Sequence, residues 1–134
     1  MTDPQENLAL VREYLQAVER FATGDELAAF FAPDVVQQEF PNRFFAHGMK
    51  RDLAAILEGA ERGEQLLSKQ NYEIKNIVAD GDRVALEVRW RGTIKVAAAG
   101  LEPGTELIAH LGVFLKLKDG KIVAQHNYDC YEPW

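Results

Sequence analysis

Asp119-Gly120-Lys121-Ile122-Val123-Ala124-Gln125-His126-Asn127-Tyr128-Asp129-Cys130-Tyr131 is the stretch on which the fold turns. Asp-Gly is a tight-turn pair, because glycine reaches positive φ at no steric cost. The run after it starts as an ordinary strand, then sets His, Asn, Tyr, Asp and Cys side by side. A surface strand alternates apolar and polar side chains, but both faces of this second half are polar or reactive. Such a strand suits a pocket on one side and a partner on the other. Gln125, Asn127, Asp129 and Tyr131 share one face, and His126, Tyr128 and Cys130 the other. Alternation alone leaves open which of the two lines the pocket.

Upstream of the turn, residues 107–118 form a second long strand. Leu107, Ala109, Leu111, Val113, Leu115 and Leu117 make one apolar row, which should face the rest of the core. The alternate row holds Ile108, His110, Gly112 and Phe114, too apolar for a fully solvated face. A homodimer packed through the outer side of the sheet is the expected cover. Residues 72–79 and 83–96 flank Asp80-Gly81-Asp82 as a hairpin, and Gly100, Pro103 and Gly104 make the looser link to the next strand.

The first half of the chain is helical in period. Thr2 or Asp3 can cap a first helix with Pro4 in its first turn. Leu8, Val11, Leu15, Val18 and Ala22 form its apolar stripe, and Gly24 ends it. Asp25 is expected to cap a short second helix carrying Leu27, Phe30 and Phe31, closed by Pro33. Residues 35–40 read as a strand, and residues 50–62 as a third helix burying Leu53, Ile56, Leu57 and Ala60. Helices followed by a meander of long strands make an α+β unit, expected to be a single domain over residues 1–134.

Composition narrows the function. A chain of 134 residues with 47% apolar and 27% charged content fits one globular unit that buries a sizeable core. Its net charge of −6 and lack of a Lys/Arg cluster argue against a nucleic-acid partner. No apolar run approaches the ~20 residues of a membrane span, and the acidic start is unlike a signal peptide. With its one cysteine, the chain is expected to be cytoplasmic, with Cys130 reduced. The three histidines, His47, His110 and His126, match no metal-ligand spacing, and no nucleotide or serine-hydrolase motif occurs. Neither a metal nor a cofactor is expected. His47 reads as a loop residue, and His110 as an interfacial one.

Glu39 shares a strand face with Gln37. Inward, it would be a carboxylate in an apolar pocket with no obvious cation beside it and a raised proton affinity; on an edge strand it would simply be solvated. Tyr14 sits at the margin of the first helix's stripe, where a hydroxyl can point into a cavity or into water. Trp90 is on the apolar row of its strand, as pocket wall or as core.

The order of elements, with Phe31-Ala32-Pro33-Asp34-Val35-Val36 after the second helix and Asp119-Gly120-Lys121-Ile122-Val123 before the last strand, resembles the nuclear transport factor two-like superfamily. That group includes SnoaL-like polyketide cyclases, ketosteroid isomerases and limonene epoxide hydrolases. The resemblance implies a cone-shaped α+β barrel: a curved antiparallel sheet wrapped around three N-terminal helices, with an apolar pocket at one end and, in most members, a dimer. It puts Glu39 at the isomerases' general-base position and Tyr14 near their oxyanion-stabilising tyrosine. Their second oxyanion donor falls on Val113, so half of that oxyanion hole is missing. The epoxide hydrolases' Asp-Arg-Asp set falls on Val88, Trp90 and Asn127 and is absent. The cyclases' last-strand aspartate corresponds to Asp129 or to Cys130, depending on a bulge.

The expected function is therefore a cofactor-independent isomerase or cyclase acting by proton transfer on a small apolar carbonyl compound. Glu39 would take the proton, and Tyr14, helped by Asn127 or Asp129, would stabilise the enolate oxygen. Trp90, Phe44, Leu111, Val113 and His126 would hold the ligand. The alternative is a non-catalytic ligand-binding or assembly protein of the same fold.

Overall fold

α1 spans Pro4–Glu19 in the computed structural model, which describes residues 3–134. Asp3 caps the helix, its side chain accepting from the Gln5 amide at 2.9 Å, while Thr2 lies outside the described residues. Val11 and Leu15 are buried, with Leu8 and Val18 partly so. The helix ends before Gly24, because Phe21 itself takes the left-handed conformation (φ 62°). The Ala22 amide then reaches the Ala17 carbonyl and the Phe21 amide that of Val18, which satisfies the last turn.

α2 is shorter than expected, Gly24–Ala28, with Thr23 as its cap position. Phe31 and Pro33 belong to the next element, β1 (Phe31–Glu39), since an edge-facing proline is compatible with a strand. β2 (Met49–Arg51) takes the residues expected to open the third helix. It pairs antiparallel with β1, Gln37 opposite Arg51. Asp52 then caps α3 (Leu53–Leu66) by accepting from the Ala55 amide. β3 (Leu67–Asp80), β4 (Arg83–Ile94), β5 (Glu106–Lys118) and β6 (Lys121–Tyr131) follow as the long meander.

The six strands form one curved sheet in the order β2-β1-β6-β5-β4-β3. It is mixed rather than wholly antiparallel, because β1 runs parallel to β6, with Gln37 beside Gln125 and Glu39 beside Asn127. The three helices lie on its inner face, α1 against β3 and β4, and α3 against β1 and β3. The row expected to face inward on β5 does so: Leu107, Ala109, Leu111, Val113, Leu115 and Leu117 are all buried. Each fully buried leucine or isoleucine contributes about 1.5–3 kcal/mol. No helix among the described residues is long and apolar enough to cross a membrane.

Two of the sheet's register shifts decide which residues of β6 and the middle of β3 face the core. In β6 the register with β5 passes from Leu117–Ile122 to Lys116–Ala124, leaving Val123 as an extra residue. Such a bulge reverses the parity of the strand beyond it. Ile122 is buried before it, Gln125 after it, and Asn127, Asp129 and Tyr131 follow inward. Cys130 therefore points outward and is exposed. A second shift leaves Lys75 unpaired in β3, so Ile74 and Tyr72 come level with Val88 and Trp90 on the inner face.

Candidate active site

A cavity of about 300 Å³ lies between the inner face of the sheet and helices α1 and α3. A second chamber of about 340 Å³ adjoins it and shares Glu39, Arg51, Trp90, Asp129 and Tyr131 as walls. Tyr14, Glu39, Asn127, Asp129, Trp90, Leu111 and Val113 all line the first chamber. Phe44 lines the adjoining one, edge-on to Tyr131 at 4.9 Å. His126 lines neither chamber. It is exposed on the outer face, edge-on to Phe40 at 5.6 Å, because the Val123 bulge gives the inward parity to Gln125, Asn127 and Asp129.

Glu39 has a cation beside it after all. Its Oε1 accepts from Arg51 Nη1 at 3.0 Å, and its Oε2 from Asn42 Nδ2 at 2.8 Å. Arg51 also donates to Gln37 Oε1 at 3.3 Å. Both partners of the ion pair are nearly buried, the side chains 10% and 13% exposed, so each charge needs the other. Asn42 meanwhile accepts from the Phe44 and Phe45 amides, tying the loop after β1 to this carboxylate.

Tyr14 is buried and its hydroxyl is already engaged, donating to Gln125 Oε1 at 2.8 Å. Gln125 Nε2 donates to Asn127 Oδ1 at 2.9 Å. A chain of polarised amides thus runs from α1 along the inner face of β6. Burial, partly offset by the Gln125 bond, pushes the Tyr14 hydroxyl up to about 12, so it remains a donor at any physiological pH.

Asp129 is the unusual group. Its Oδ1 is buried without a hydrogen-bond partner among the described residues. Burial first, and then the negative charge of Glu39, raise its pKa from 3.8 to about 6, against the opposing pull of Arg51 and Asn127. A carboxyl group near neutrality can both accept and return a proton. Tyr72 and Tyr131 line the same chamber. Burial, together with neighbouring Asp129, lifts both phenols well above the ordinary tyrosine range, which keeps them protonated. The chamber thus brings a carboxyl group of raised pKa together with the phenols of Tyr14, Tyr72 and Tyr131, with apolar walls from Val88, Trp90, Leu111 and Val113.

Arg51, Gln125, Tyr72 and Tyr131 are absent from the sequence-derived site. Tyr131 shares its strand face with Asn127 and Asp129, and that parity was a usable signal. Tyr72 had none, since simple counting back from the hairpin turn sets it opposite Arg91 rather than Trp90. Arg51 was masked by its apparent place at the start of a helix.

Comparison with known proteins agrees with this architecture. A sequence profile described as the SnoaL-like domain matches residues 11–125. No curated protein matches the chain. Among solved structures, AclR of Streptomyces galilaeus, a candidate hydroxylase, superposes with a TM-score of 0.81 at 26% identity, over 98% of this chain and 83% of its own. A candidate polyketide cyclase from Xanthomonas campestris gives 0.73 at 25% identity, over 95% and 92%. IdmH of Streptomyces antibioticus, also a candidate polyketide cyclase, gives 0.75 at 22% identity, over 92% and 91%. The fold they share with this chain is the nuclear transport factor two-like, ketosteroid isomerase-like one.

Proposed function

The chain belongs to the SnoaL-like domain family, and from that premise we propose that it is a cofactor-independent proton-transfer enzyme, of isomerase or cyclase type, acting beside a carbonyl group. The supporting observation is Asp129: a carboxyl group on the chamber wall with an unpartnered buried oxygen. Above pH about 6 its carboxylate takes a proton from the carbon next to the substrate carbonyl. The developing enolate oxygen accepts hydrogen bonds from Tyr72 or Tyr131. The proton then returns from Asp129, either to another carbon, which isomerises the substrate, or to the alkoxide formed when the enolate carbon attacks a second carbonyl of the same molecule. Both routes leave Asp129 as it began.

Glu39 has a different part in this reading from the base expected of it. Held by Arg51 and Asn42, it is a fixed negative charge that raises the proton affinity of Asp129. Tyr14, through Gln125, orients Asn127 beside the reacting carboxylate. The walls suit a flat apolar body, while the phenols and amides suit oxygen substituents on it. The similarity to candidate polyketide cyclases supports such a substrate class.

A second copy of the chain is the other proposed partner. On the outer face Phe40 stacks on Tyr128 at 4.4 Å, with Phe114 edge-on to it at 5.8 Å. Phe114 is 51% and Tyr128 44% exposed, an aromatic patch that a dimer would cover. Phe114→Glu should shift sedimentation toward monomer, and an unchanged profile would remove this claim.

The test of the function is solvent-deuterium exchange at the α-carbon of a panel of aromatic β-keto esters, followed by NMR. Wild-type protein should speed exchange and Asp129→Asn should not. Binding without exchange by the wild type would make the protein a ligand carrier instead.

A further inference from the structure

Gly92 lies on the inner face of β4, two residues beyond Trp90, and is buried. Glycine in the interior of a strand weakens it and needs a reason. The backbone supplies none here, because Gly92 is not among the glycines with positive φ. Trp90 supplies it. A Cβ at position 92 would overlap Cζ2 and Cη2 of the indole, so the ring lies flat along its own strand in the space a side chain would occupy. Its Nε1 donates to Gln70 Oε1 at 3.0 Å, and Gln70 Nε2 donates to the Val18 carbonyl of α1 at 2.8 Å. These two bonds fix the indole's orientation.

The consequence concerns the two chambers. Trp90 is a wall of both, and its ring leans toward Gly92, the direction of Ile94 and Leu107 that line the adjoining chamber. With the sheet behind it, an indole displaced from Gly92 moves toward Tyr131, which lies edge-on to it at 6.2 Å and walls both chambers. We propose that Gly92 is a specificity-determining position: by letting Trp90 lie flat it keeps the chambers joined, and the site takes an elongated, flat ligand whose far end passes the indole. This rests on the ligand-pocket reading above but is independent of turnover.

The experiment uses two probes, naphthol and the longer hydroxyanthraquinone, with binding measured by calorimetry. The wild type should bind both. Gly92→Ala should weaken the longer probe by about tenfold or more and the shorter by less than about threefold, as overpacking of a wall predicts. Adding Trp90→Phe to Gly92→Ala removes the overlap and should restore the longer probe. In a Trp134→Phe background, where Trp90 is the sole tryptophan, Gly92→Ala should increase acrylamide quenching as the indole leaves Gln70. Equal binding of the longer probe by wild type and Gly92→Ala would overturn the proposal. So would refusal of both probes by the wild type, or failure of the double variant to recover. Loss of deuterium exchange with these binding differences intact would count against the enzymatic reading alone.

Discussion

The two ends of the sheet's inner face are built from the same strands and have opposite chemistry. Near the β3–β4 and β5–β6 turns, Val84, Leu115, Leu117 and Ile122 are buried with Val11 and Val35, and the buried Asn7 amide is satisfied there by the Gly81 carbonyl of the β3–β4 turn. Toward the other end, the same strands present Tyr72, Trp90, Asn127, Asp129 and Tyr131 to a cavity. The dry end gains its stability from packing. The polar end gives some of that up, since Asp129 carries an unpartnered buried oxygen and Glu39 and Arg51 are held nearly out of water. A fold that concentrates its packing at one end can keep polar groups poorly solvated at the other.

Asp129→Asn should separate the ends most sharply. Proton transfer should fall by about 10²–10⁴-fold, the usual contribution of a positioned acid–base, while the fold persists. Because the folded pKa of Asp129 is raised from 3.8 to about 6, the wild type loses stability as pH climbs through that window, and the loss levels off above it. Asp129→Asn removes this slope, so at neutral pH it should be as stable as wild type or up to about 2 kcal/mol more so. Urea midpoints across the window check it; a destabilised variant would mean the carboxylate is paired.

Leu117→Ala attacks the dry end and should cost about 2–5 kcal/mol, the range for deleting a fully buried leucine. The cavity and the Asp129 titration should stay unchanged in NMR. If both move, the two ends are not independent.

Arg51→Met leaves Glu39 near-buried without its partner and should cost roughly 1–3 kcal/mol, below the full buried-pair penalty because some solvent reaches both groups. It should also raise the pKa of Asp129 further, by removing a charge that lowers it. Glu39→Gln should move that titration down. The least effect belongs to His126→Ala, on the opposite face of β6. Activity should stay within about twofold and stability within about 0.5 kcal/mol, and a larger change in activity would return His126 to the ligand site.

Much of the dry end was legible in the sequence. Alternation in β5, the Asp-Gly turns and the stripe on α1 mark it, because burial imposes a period on apolar residues. The polar end was legible in its residues but not in their relations. Lys75 and Val123 carry no compositional mark of a bulge, yet each reverses which residues face inward. The three-residue strand β2 is too short to show a period, so Arg51 was read into a helix and Glu39 appeared to lack a cation. Tyr14 lines the cavity, one of the two settings open to a tyrosine at its stripe's margin; its partner Gln125 could be found only once β6 had an inward face.

The parallel pairing of β1 with β6 has a consequence for how the protein comes into being. Tyr14 and Gln125 meet across 111 positions of chain, and Glu39 aligns with Asn127 only when the last strand is laid in place. A nascent chain leaving the ribosome can form the α1 helix and the β3–β4 hairpin early, but not the walls of the chamber. Closure of so long a loop is entropically slow, so assembly of the site should coincide with the final folding step. Activity should appear on refolding with the slowest kinetic phase, and no fragment lacking β6 should bind ligand.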